Sequence, residues 1–176
     1  EQDLEIKRFT GNQISLDVVD DFYSFYVDTH LRRSGHSGYL NKDFFEEITQ
    51  TIADNILIIL AYKNGRAVAG SFFFYDQNNL YGRYWGASSD FDALHFECCY
   101  YQGIDFCIEK NIKRFDPGVQ GEHKIKRGFE PTFTFSSHWI ENHDFSLAIS
   151  DFLLREDKYI KDYHHDASTL LPFKNI

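Results

Sequence analysis

The sequence predicts an α/β protein in which helices flank a mixed β-sheet. Three apolar segments follow one another between residues 56 and 86, and Asn64-Gly65, which joins the first two, is typical of a tight β-hairpin. Segments with helical periodicity lie before and after these strands, and a further strand follows the next helix. Strands separated by helices are typical of an α/β sheet, and the strand–helix–strand connection should be parallel and right-handed.

The amino-terminal half is predicted to fold as a strand, two helices and three further strands. The first strand ends before Gly11-Asn12, and apolar residues at i, i+4, i+7 and i+8 mark a helix that stops at Ser34-Gly35. The three later strands include runs that are apolar on both faces, which is typical of the middle of a covered sheet. The predicted ranges are 4–9, 15–33, 42–52, 56–62, 67–75 and 80–86.

The carboxyl-terminal half is predicted to alternate helices and strands. A long helix leads into a short strand, and the chain then breaks at Asp116-Pro117-Gly118. A short helix, a strand and an amphipathic helix follow this break. The predicted ranges are 93–111 for the long helix, 113–115 for the strand, 122–127 for the short helix, 132–140 for the last strand, and a final helix that begins at Asn142 or Asp144.

Composition and charge exclude several classes of function. The 176 residues include 18 Phe and 11 Tyr, which is enough for one well-packed core, and the formal net charge of −9 argues against a protein that binds duplex nucleic acid. Apolar runs reach only the length of a strand, so we expect no membrane span. The three cysteines lack the spacing of a metal site and are typical of a reducing compartment, so we expect a cytoplasmic protein with no bound metal.

We expect the chain to be the carboxyl-terminal part of a longer protein. It starts at Glu1 and contains no Met. Its length suits a single domain over residues 1–176, which would then pack on a preceding, amino-terminal domain.

The segment from Asp116 to Gly128 is the first candidate for a binding loop. Gly118 and Gly121 bracket a turn that opens a short helix, and backbone N–H groups at such a junction suit a phosphate or carboxylate. Residues 113–127 carry five basic and two acidic side chains although the whole chain is acidic. The segment is therefore predicted to hold an anion, with an ordinary strand–turn–helix joint as the alternative.

Five polar side chains of different chemistry crowd the start of that short helix. His123 is predicted to act as a general base, and Gln120 to donate a hydrogen bond to an oxyanion or amide. Lys124 and Arg127 are predicted to bind anionic groups of a substrate, next to Glu122. The alternative is a solvated helix in which Glu122 pairs with the lysine four residues later.

The segment YGRYWG at residues 81–86 is the second candidate. Period-2 alternation would place Tyr81, Arg83 and Trp85 on one face of a strand and the two glycines on the other. An arginine between two aromatic side chains is held rigidly and can bind a carboxylate or phosphate through two hydrogen bonds. We therefore predict that these three side chains bind substrate, with cation–π packing on the sheet surface as the alternative.

The long helix offers a second candidate base, Glu97. Helical spacing places Glu97 on one stripe with three large apolar residues at i+4, i+7 and i+11. A carboxylate on an apolar stripe is either paired or destabilised in its charged form, as a general base requires. The alternative is a structural ion pair with Arg83 or Arg127. His95, on a more polar stripe of the helix, and Tyr100 are predicted to line the substrate pocket.

The order of elements, together with several motifs, resembles the GNAT acyltransferase fold. Arg127-Gly128-Phe129-Glu130 resembles the (K/R)-G-F-E motif that follows the last crossover helix of that fold. More narrowly, the chain resembles the bacterial peptidoglycan biosynthesis/recognition proteins related to Fem-type aminoacyl and peptidyl transferases. The matching segments are YGRYWG at 81–86, LHFE at 94–97, CYYQGI at 99–104, FDPGVQGEHK at 115–124, RGFEP at 127–131 and His138-Trp139.

The resemblance implies a GNAT-like mixed sheet and the transfer of an acyl or aminoacyl group to an amine. The donors it implies are an acyl-CoA or an aminoacyl-tRNA. GNAT enzymes that use acetyl-CoA typically carry Q/R-x-x-G-x-G/A between the central strand and the next helix, whereas residues 86–92 here read GASSDFD. Asp90 and Asp92 would repel an anionic cofactor, so we expect the donor's phosphates near Gly118–Lys124.

Functions of different classes remain open from the sequence. The first is a GNAT/Fem-like N-acyltransferase that uses Glu97 or His123 as the base and acts on a small molecule or a cell-wall precursor. The second is a non-catalytic module that binds a cell-wall fragment or amino sugar through the aromatic and arginine side chains of residues 81–86. The third is a structural half-domain that only packs on the amino-terminal part of a longer protein.

Overall fold

The computed structural model describes residues 3–119 and 121–173. The chain divides into two compact units, Glu1–Gly118 and Val119–Ile176. The first unit contains a β-sheet with helices on both faces, and the second contains a long helix. That the 176 residues form a single domain stays a prediction.

The five strands of the first unit form one mixed sheet, as predicted. They are β1 (Glu5–Thr10), β2 (Ile56–Lys63), β3 (Arg66–Tyr75), β4 (Asn79–Ala87) and β5 (Arg114–Asp116). The spatial order is the chain order; β1 to β4 are antiparallel neighbours, and β5 pairs with β4 in parallel. Asn64 and Gly65 both have positive φ angles, 50° and 74°, and form the tight β2–β3 turn that their sequence predicts.

Three of the helices begin at side chains that accept hydrogen bonds from their first turns. Ser15 caps the first helix, Asn41 the second and Asn142 the last, and Gly35 ends the first helix with a φ of 72°. The helix predicted at 93–111 is continuous but contains a π-helical turn. The helices are α1 (Leu16–Ser34), α2 (Lys42–Thr51), α3 (Leu94–Phe96), the π-turn (Glu97–Tyr101), α4 (Gln102–Lys110) and α5 (His143–Thr169), with a 3₁₀ helix at Glu122–Arg127.

The sheet separates two apolar clusters, one on each face. Ile56, Ile58 and Leu60 of β2 pack with α1 and α2, whereas Leu57 and Ile59 pack with the α3–α4 side. All five side chains have no exposed surface, so β2 is buried on both faces as its continuous apolar run predicts. Both clusters consist entirely of residues of the first unit.

The prediction of a strand at residues 132–140 is wrong. In the described part of the chain no strand pairs with this segment, and Phe135 and Trp139 are 92% and 83% exposed. Alternating Thr and Phe residues satisfy the period of a strand, but a strand also requires a neighbour that supplies backbone hydrogen bonds. Periodicity alone therefore predicted an element that has no partner in the described residues.

Candidate functional site

The strands β4 and β5 pair only where both begin. Asn79, Leu80 and Tyr81 of β4 lie opposite the three residues of β5, and from Gly82 onward the described residues provide no strand partner on this side of β4. Beyond Tyr81 the described residues form no ladder hydrogen bonds with this side of β4, and the carbonyl of Ala87 at the end of the strand accepts a hydrogen bond from Arg32. Ligands of open α/β sheets bind where neighbouring strands diverge.

A β-bulge in β4 lies at this point of divergence. Phe72 is opposite Tyr84 and Phe73 is opposite Gly82, which leaves Arg83 as the extra residue. The bulge reverses the alternation of side chains that follow it. The prediction that Tyr81, Arg83 and Trp85 share one face is therefore wrong.

The bulge places Tyr81 and Trp85 on opposite faces of the sheet. Tyr81 lies opposite Phe74, which packs with the α1–α2 cluster, whereas Trp85 packs with the α3–α4 cluster. Arg83 is exposed between them. An exposed guanidinium beside an open strand edge is able to bind a carboxylate or phosphate, so its predicted role as an anion ligand is compatible with its position.

Three of the predicted binding residues come together on the α3–α4 face. The ring of His95 lies 5.4 Å from that of Trp85 and 5.4 Å from that of Tyr100, in both cases edge to face. Tyr100 is only 3% exposed, and the other two side chains are half-buried. We call these three residues the aromatic wall. Aromatic and imidazole rings in this arrangement provide a rigid apolar surface with polar edges.

The π-turn changes which residues of the long helix are buried. Glu97 does not lie on a buried apolar stripe, because Tyr101 and Ile108, which should share that stripe, are 45% and 70% exposed. The extra residue of a π-turn rotates the following helix face, which sequence periodicity of 3.6 does not anticipate. The helix faces the sheet with Leu94, Cys98, Gly103 and Cys107. The spacing between these residues along the chain is four, five and four residues.

Glu97 is nevertheless half-buried and positioned by a hydrogen bond. Its Oε1 accepts a hydrogen bond from Nε2 of Gln102 at 2.8 Å. One alternative from the sequence was a structural ion pair between Glu97 and Arg83. These two side chains form no ion pair in the described first unit. Glu97 immediately follows the helical turn that carries His95, so its carboxylate is a candidate base next to the aromatic wall.

The second unit contains the polar cluster predicted at the short helix. Burial and the positive charges of Lys124 and Arg127 lower the pKa of His123 from its ordinary value, so its imidazole is neutral at pH 7 and able to accept a proton. Nη1 of Arg127 donates to the backbone carbonyl of His123 at 2.8 Å. Gly121 has a φ of 102°, and a Cβ there would lie 2.3 Å from the His123 ring, so glycine is required beside this imidazole.

The predictions for Glu122 and Gln120 in this segment have different outcomes. Oε1 of Glu122 accepts a hydrogen bond from the hydroxyl of Tyr163 at 3.0 Å, and the alternative ion pair with Lys126 is not formed between these two described side chains. Gln120, predicted to stabilise an oxyanion or amide, lies outside the described residues.

Sequence reasoning missed a second aromatic and histidine cluster on the other face of β4. Tyr26 of α1 lies 5.3 Å from Tyr84 and 4.3 Å from His30, measured between ring centroids. The Tyr26 hydroxyl accepts hydrogen bonds from the backbone N–H groups of residues 39 and 40, which brings His36 and Tyr39 of the α1–α2 loop alongside. Only the spacing of Tyr26 and His30, four residues apart on one helix, was visible in the sequence.

Across residues 3–119 and 121–173 no three His, Cys, Asp or Glu side chains are grouped so as to hold a metal ion. No helix within the same ranges has both the length and the apolar character that crossing a bilayer requires.

The chain is similar to one protein family over almost its whole length. The FemAB-like family, described as peptidoglycan biosynthesis/recognition, matches residues 1–175. No curated protein sequence matches the chain. Three solved structures of acetyltransferases are similar to it in fold, at identities too low to imply more than the fold.

A possible acetyltransferase from Clostridium difficile 630 is 12% identical and has a TM-score of 0.58, over 79% of this chain and 99% of that one. A predicted acetyltransferase with acetyl-CoA from Clostridium acetobutylicum is 11% identical with a TM-score of 0.59, over 80% of this chain and 99% of that one. Glucosamine-6-phosphate N-acetyltransferase from Arabidopsis thaliana is 12% identical with a TM-score of 0.52, over 78% and 99%. The fold is that of the GNAT acetyltransferases, as the sequence predicts.

Proposed function

This chain belongs to the FemAB-like peptidoglycan biosynthesis/recognition family, and on that basis we propose that it transfers an acyl or aminoacyl group to the amine of a cell-wall precursor. One observation carries the proposal. The strands β4 and β5 part beyond Tyr81, and the open edge of β4 lies on the strand that carries Trp85 of the aromatic wall. An extended acyl chain with amide groups can bind such an edge through backbone hydrogen bonds, while rings hold the acceptor.

Acyl transfer to an amine requires a base and a site for the oxyanion. The ammonium group of the acceptor loses a proton to the base, and the neutral nitrogen attacks the acyl carbonyl carbon. The C–N bond forms, the bond to the carrier breaks with its electron pair staying on the carrier, and the carrier takes up the second proton, which the attacking nitrogen releases. We propose Glu97 as the base, with N–H groups at the open edge of β4 as donors to the oxyanion. His123, in the second unit, is the alternative candidate for the base.

The pH dependence of the rate distinguishes the two bases. The pKa of His123 is lowered by burial and by two neighbouring cations, so a rate that depends on neutral His123 should fall only below pH of about 6.5. A rate that persists unchanged well below this pH would exclude His123 as the base. A pH profile of kcat/KM therefore assigns the base.

The residues after β4 do not fit the pyrophosphate of acetyl-CoA. Residues 87–93 contain the exposed carboxylates of Asp90 and Asp92 and no Lys or Arg, and α3 has only three residues before the π-turn. Ala93, which precedes α3, is in the left-handed region with a φ of 56°. An anion there would meet two negative charges without a regular helix amino terminus to offset them. Two cations reach the same segment, Arg32 at the Ala87 carbonyl and Lys63 over the Phe91 ring, and both already make these contacts.

We therefore propose that anionic groups of the donor bind basic side chains away from the connection after β4. The candidates are Arg83 in the first unit and, as a separate alternative, Lys124 and Arg127 in the second unit. Two donors are compatible with these basic side chains, an acyl-CoA that binds in this way and an aminoacyl-tRNA. A thermal shift of the chain with CoA, acetyl-CoA and longer acyl-CoAs separates them. A ligand at 100 times its Kd adds about 2.7 kcal/mol, which raises Tm by roughly 5–11 °C for a protein of this size.

Activity is tested by mass spectrometry of an amino-sugar or muropeptide acceptor incubated with each donor. Glu97→Gln or His123→Ala, whichever removes the base, should lower kcat by roughly 10²- to 10⁴-fold. The matched controls are Glu47→Gln and His143→Ala, which change the same residue types at exposed positions outside the site. If both Glu97→Gln and His123→Ala keep the wild-type kcat, neither residue is the base.

The second candidate function, a binding module, is favoured by the edge-to-face packing of the three rings of the aromatic wall. A module of this kind would hold a cell-wall fragment without turnover. Its affinity would survive Glu97→Gln and His123→Ala but not Trp85→Ala, because stacking on an aromatic face contributes about 1 kcal/mol or more. Isothermal titration with muropeptides, run beside the mass-spectrometric assay, distinguishes the module from the transferase.

A further inference from the structure

Ser71 is a buried polar residue directly behind the aromatic wall. It lies in the middle of β3, opposite Ile59 of β2 and Trp85 of β4, and is 1% exposed. Burying a hydroxyl among apolar side chains is unfavourable unless the hydroxyl is hydrogen-bonded. Oγ of Ser71 donates to the backbone carbonyl oxygen of Cys98 at 2.8 Å.

That carbonyl belongs to the π-turn. In an α-helix the N–H of Gln102 would donate to the carbonyl of Cys98, four residues earlier. Here it donates to the carbonyl of Glu97, five residues earlier. Because of the extra residue in the π-turn, the carbonyl of Cys98 does not accept the hydrogen bond from the N–H of Gln102 that it would accept in an α-helix. The hydroxyl of Ser71 donates a hydrogen bond to this carbonyl.

The π-turn in turn determines the geometry of the aromatic wall. Tyr100 lies within the turn, His95 lies just before it, and Trp85 is the cross-strand neighbour of Ser71. π-Turns are less stable than regular α-helix and occur frequently at functional sites. A residue that holds the turn would therefore hold the wall.

We propose that Ser71 is a positioning residue, which fixes the π-turn and through it the aromatic wall. The importance of the wall for catalysis rests on the function proposed above. The coupling between Ser71 and the π-turn does not rest on it, and it is measured separately below.

The first test compares Ser71→Ala with a matched loss of a buried hydroxyl. Thr49→Val is the control, because Thr49 is 8% exposed and its Oγ1 donates to the carbonyl of Phe45 within α2. Each change should lower Tm by roughly 2–10 °C. Only Ser71→Ala should alter the emission of Trp85, measured with Trp139→Phe so that one tryptophan remains.

The second test removes the extra residue. Deletion of Tyr101, which is 45% exposed, changes the spacing of the buried residues from four, five and four to four, four and four. The carbonyl of Cys98 can then be bonded within an α-helix, so Ser71→Ala should lower Tm by less than half as much as it does in the wild-type chain. Equal Tm losses in both backgrounds would overturn the proposal.

The catalytic readout is the turnover of the amine acceptor. A displaced wall should lower kcat of Ser71→Ala by roughly 10- to 100-fold at a temperature where the variant is folded, with Thr49→Val unchanged. If the wild-type chain turns over no donor, the proposed function fails, while Tm and Trp85 emission still decide the role of Ser71. Unchanged Trp85 emission in Ser71→Ala overturns that role, even if the chain lacking Tyr101 does not fold.

Discussion

Cys98 and Cys107 lie in the apolar cluster on the α3–α4 face of the sheet. Burial raises the pKa of Cys98 to about 12 and that of Cys107 to about 11, and the nearby carboxylate of Glu97 adds to the first shift. Thiols with such pKa values are protonated near pH 7 and are poor nucleophiles. At the scale of single residues, acyl transfer through a covalent thioester on either cysteine is therefore not expected.

Because of these thiols, the free energy of unfolding should depend on pH in the alkaline range. An unfolded cysteine has a pKa of about 8.5. Folded and unfolded states both keep the proton below that pH. Between about pH 8.5 and the folded values of about 11 and about 12, only the unfolded state loses protons, so the free energy of unfolding should decrease as pH rises.

The measurement is urea unfolding at pH 8, 9.5 and 10.5. Burial also raises the pKa of Tyr62, Tyr75 and Tyr84, which contributes in the same direction. Replacing Cys98 and Cys107 by Ala should make the decrease less steep. The same slope with and without the two cysteines would contradict the assignment to the thiols.

The sequence was sufficient to identify the residues of the aromatic wall, but not to predict the face of the sheet on which each side chain lies. Trp85, His95 and Tyr100 stood out because aromatic and imidazole groups cluster in unusual segments. The single inserted residue at Arg83 then moved Trp85 to the face opposite Tyr81, because alternation along a strand is broken by any bulge. His36 and Tyr39 were missed because a hydrogen bond to Tyr26, distant in sequence, brings their loop into place.

At the scale of elements, local periodicity predicted every strand and α-helix that the structure describes in the first unit, but not the two short 3₁₀ helices Gly11–Gln13 and Ala53–Asn55. It failed where an element departs from regular geometry or needs a partner. The π-turn Glu97–Tyr101 shifted the buried face of the long helix, and residues 132–140 have the pattern of a strand without a neighbour in the described chain. Neither a one-residue insertion nor the absence of a pairing edge leaves a mark in the period of the apolar residues.

The close contact of α1 with β4 leads to a prediction for two glycines of the same strand. A Cβ at Gly86 would lie 2.2 Å from the backbone oxygen of Phe25 in α1, and neither backbone can move away cheaply. Gly86→Ala should lower the free energy of unfolding by about 1–3 kcal/mol and Tm by roughly 3–10 °C. The measurement is a thermal unfolding curve for each variant.

Gly82→Ala is the matched control on β4. A Cβ at Gly82 would meet its nearest atoms at 3.6 Å, which is ordinary van der Waals contact. Its Tm should therefore stay within roughly 2 °C of the wild-type value. A Gly86→Ala variant as stable as Gly82→Ala would mean that α1 does not lie against β4 as described.

At the scale of the whole molecule, apolar burial is unequal between the two units. Both core clusters belong to the first unit, whereas the described second unit contributes only Ile125 and Ala167 to the buried apolar residues. Large side chains of α5 such as Phe145 and Leu154 are 57% and 77% exposed. Composition correctly predicted a rich core, but it could not predict that this core is confined to residues before Gly118, because composition carries no information on position.

This inequality predicts the outcome of truncation after Gly118. Residues 1–118 contain all five strands, their turns and both apolar clusters, so we expect them to unfold in one cooperative transition with the far-ultraviolet circular dichroism of a mixed sheet. Residues 119–176 alone should be a marginally stable helical segment, because helix stability in water comes mainly from packing of an apolar face.

The comparison that decides the outcome is urea unfolding of the full chain and of residues 1–118, followed by circular dichroism and by Trp85 emission. Trp85 is the only tryptophan of the truncated chain, since Trp139 lies after the cut. A cooperative transition in the truncated chain would mean that the sheet unit folds by itself and that α5 is an addition to it. A truncated chain without a transition would support the single domain over residues 1–176 that the sequence predicts, with both units needed to complete its fold.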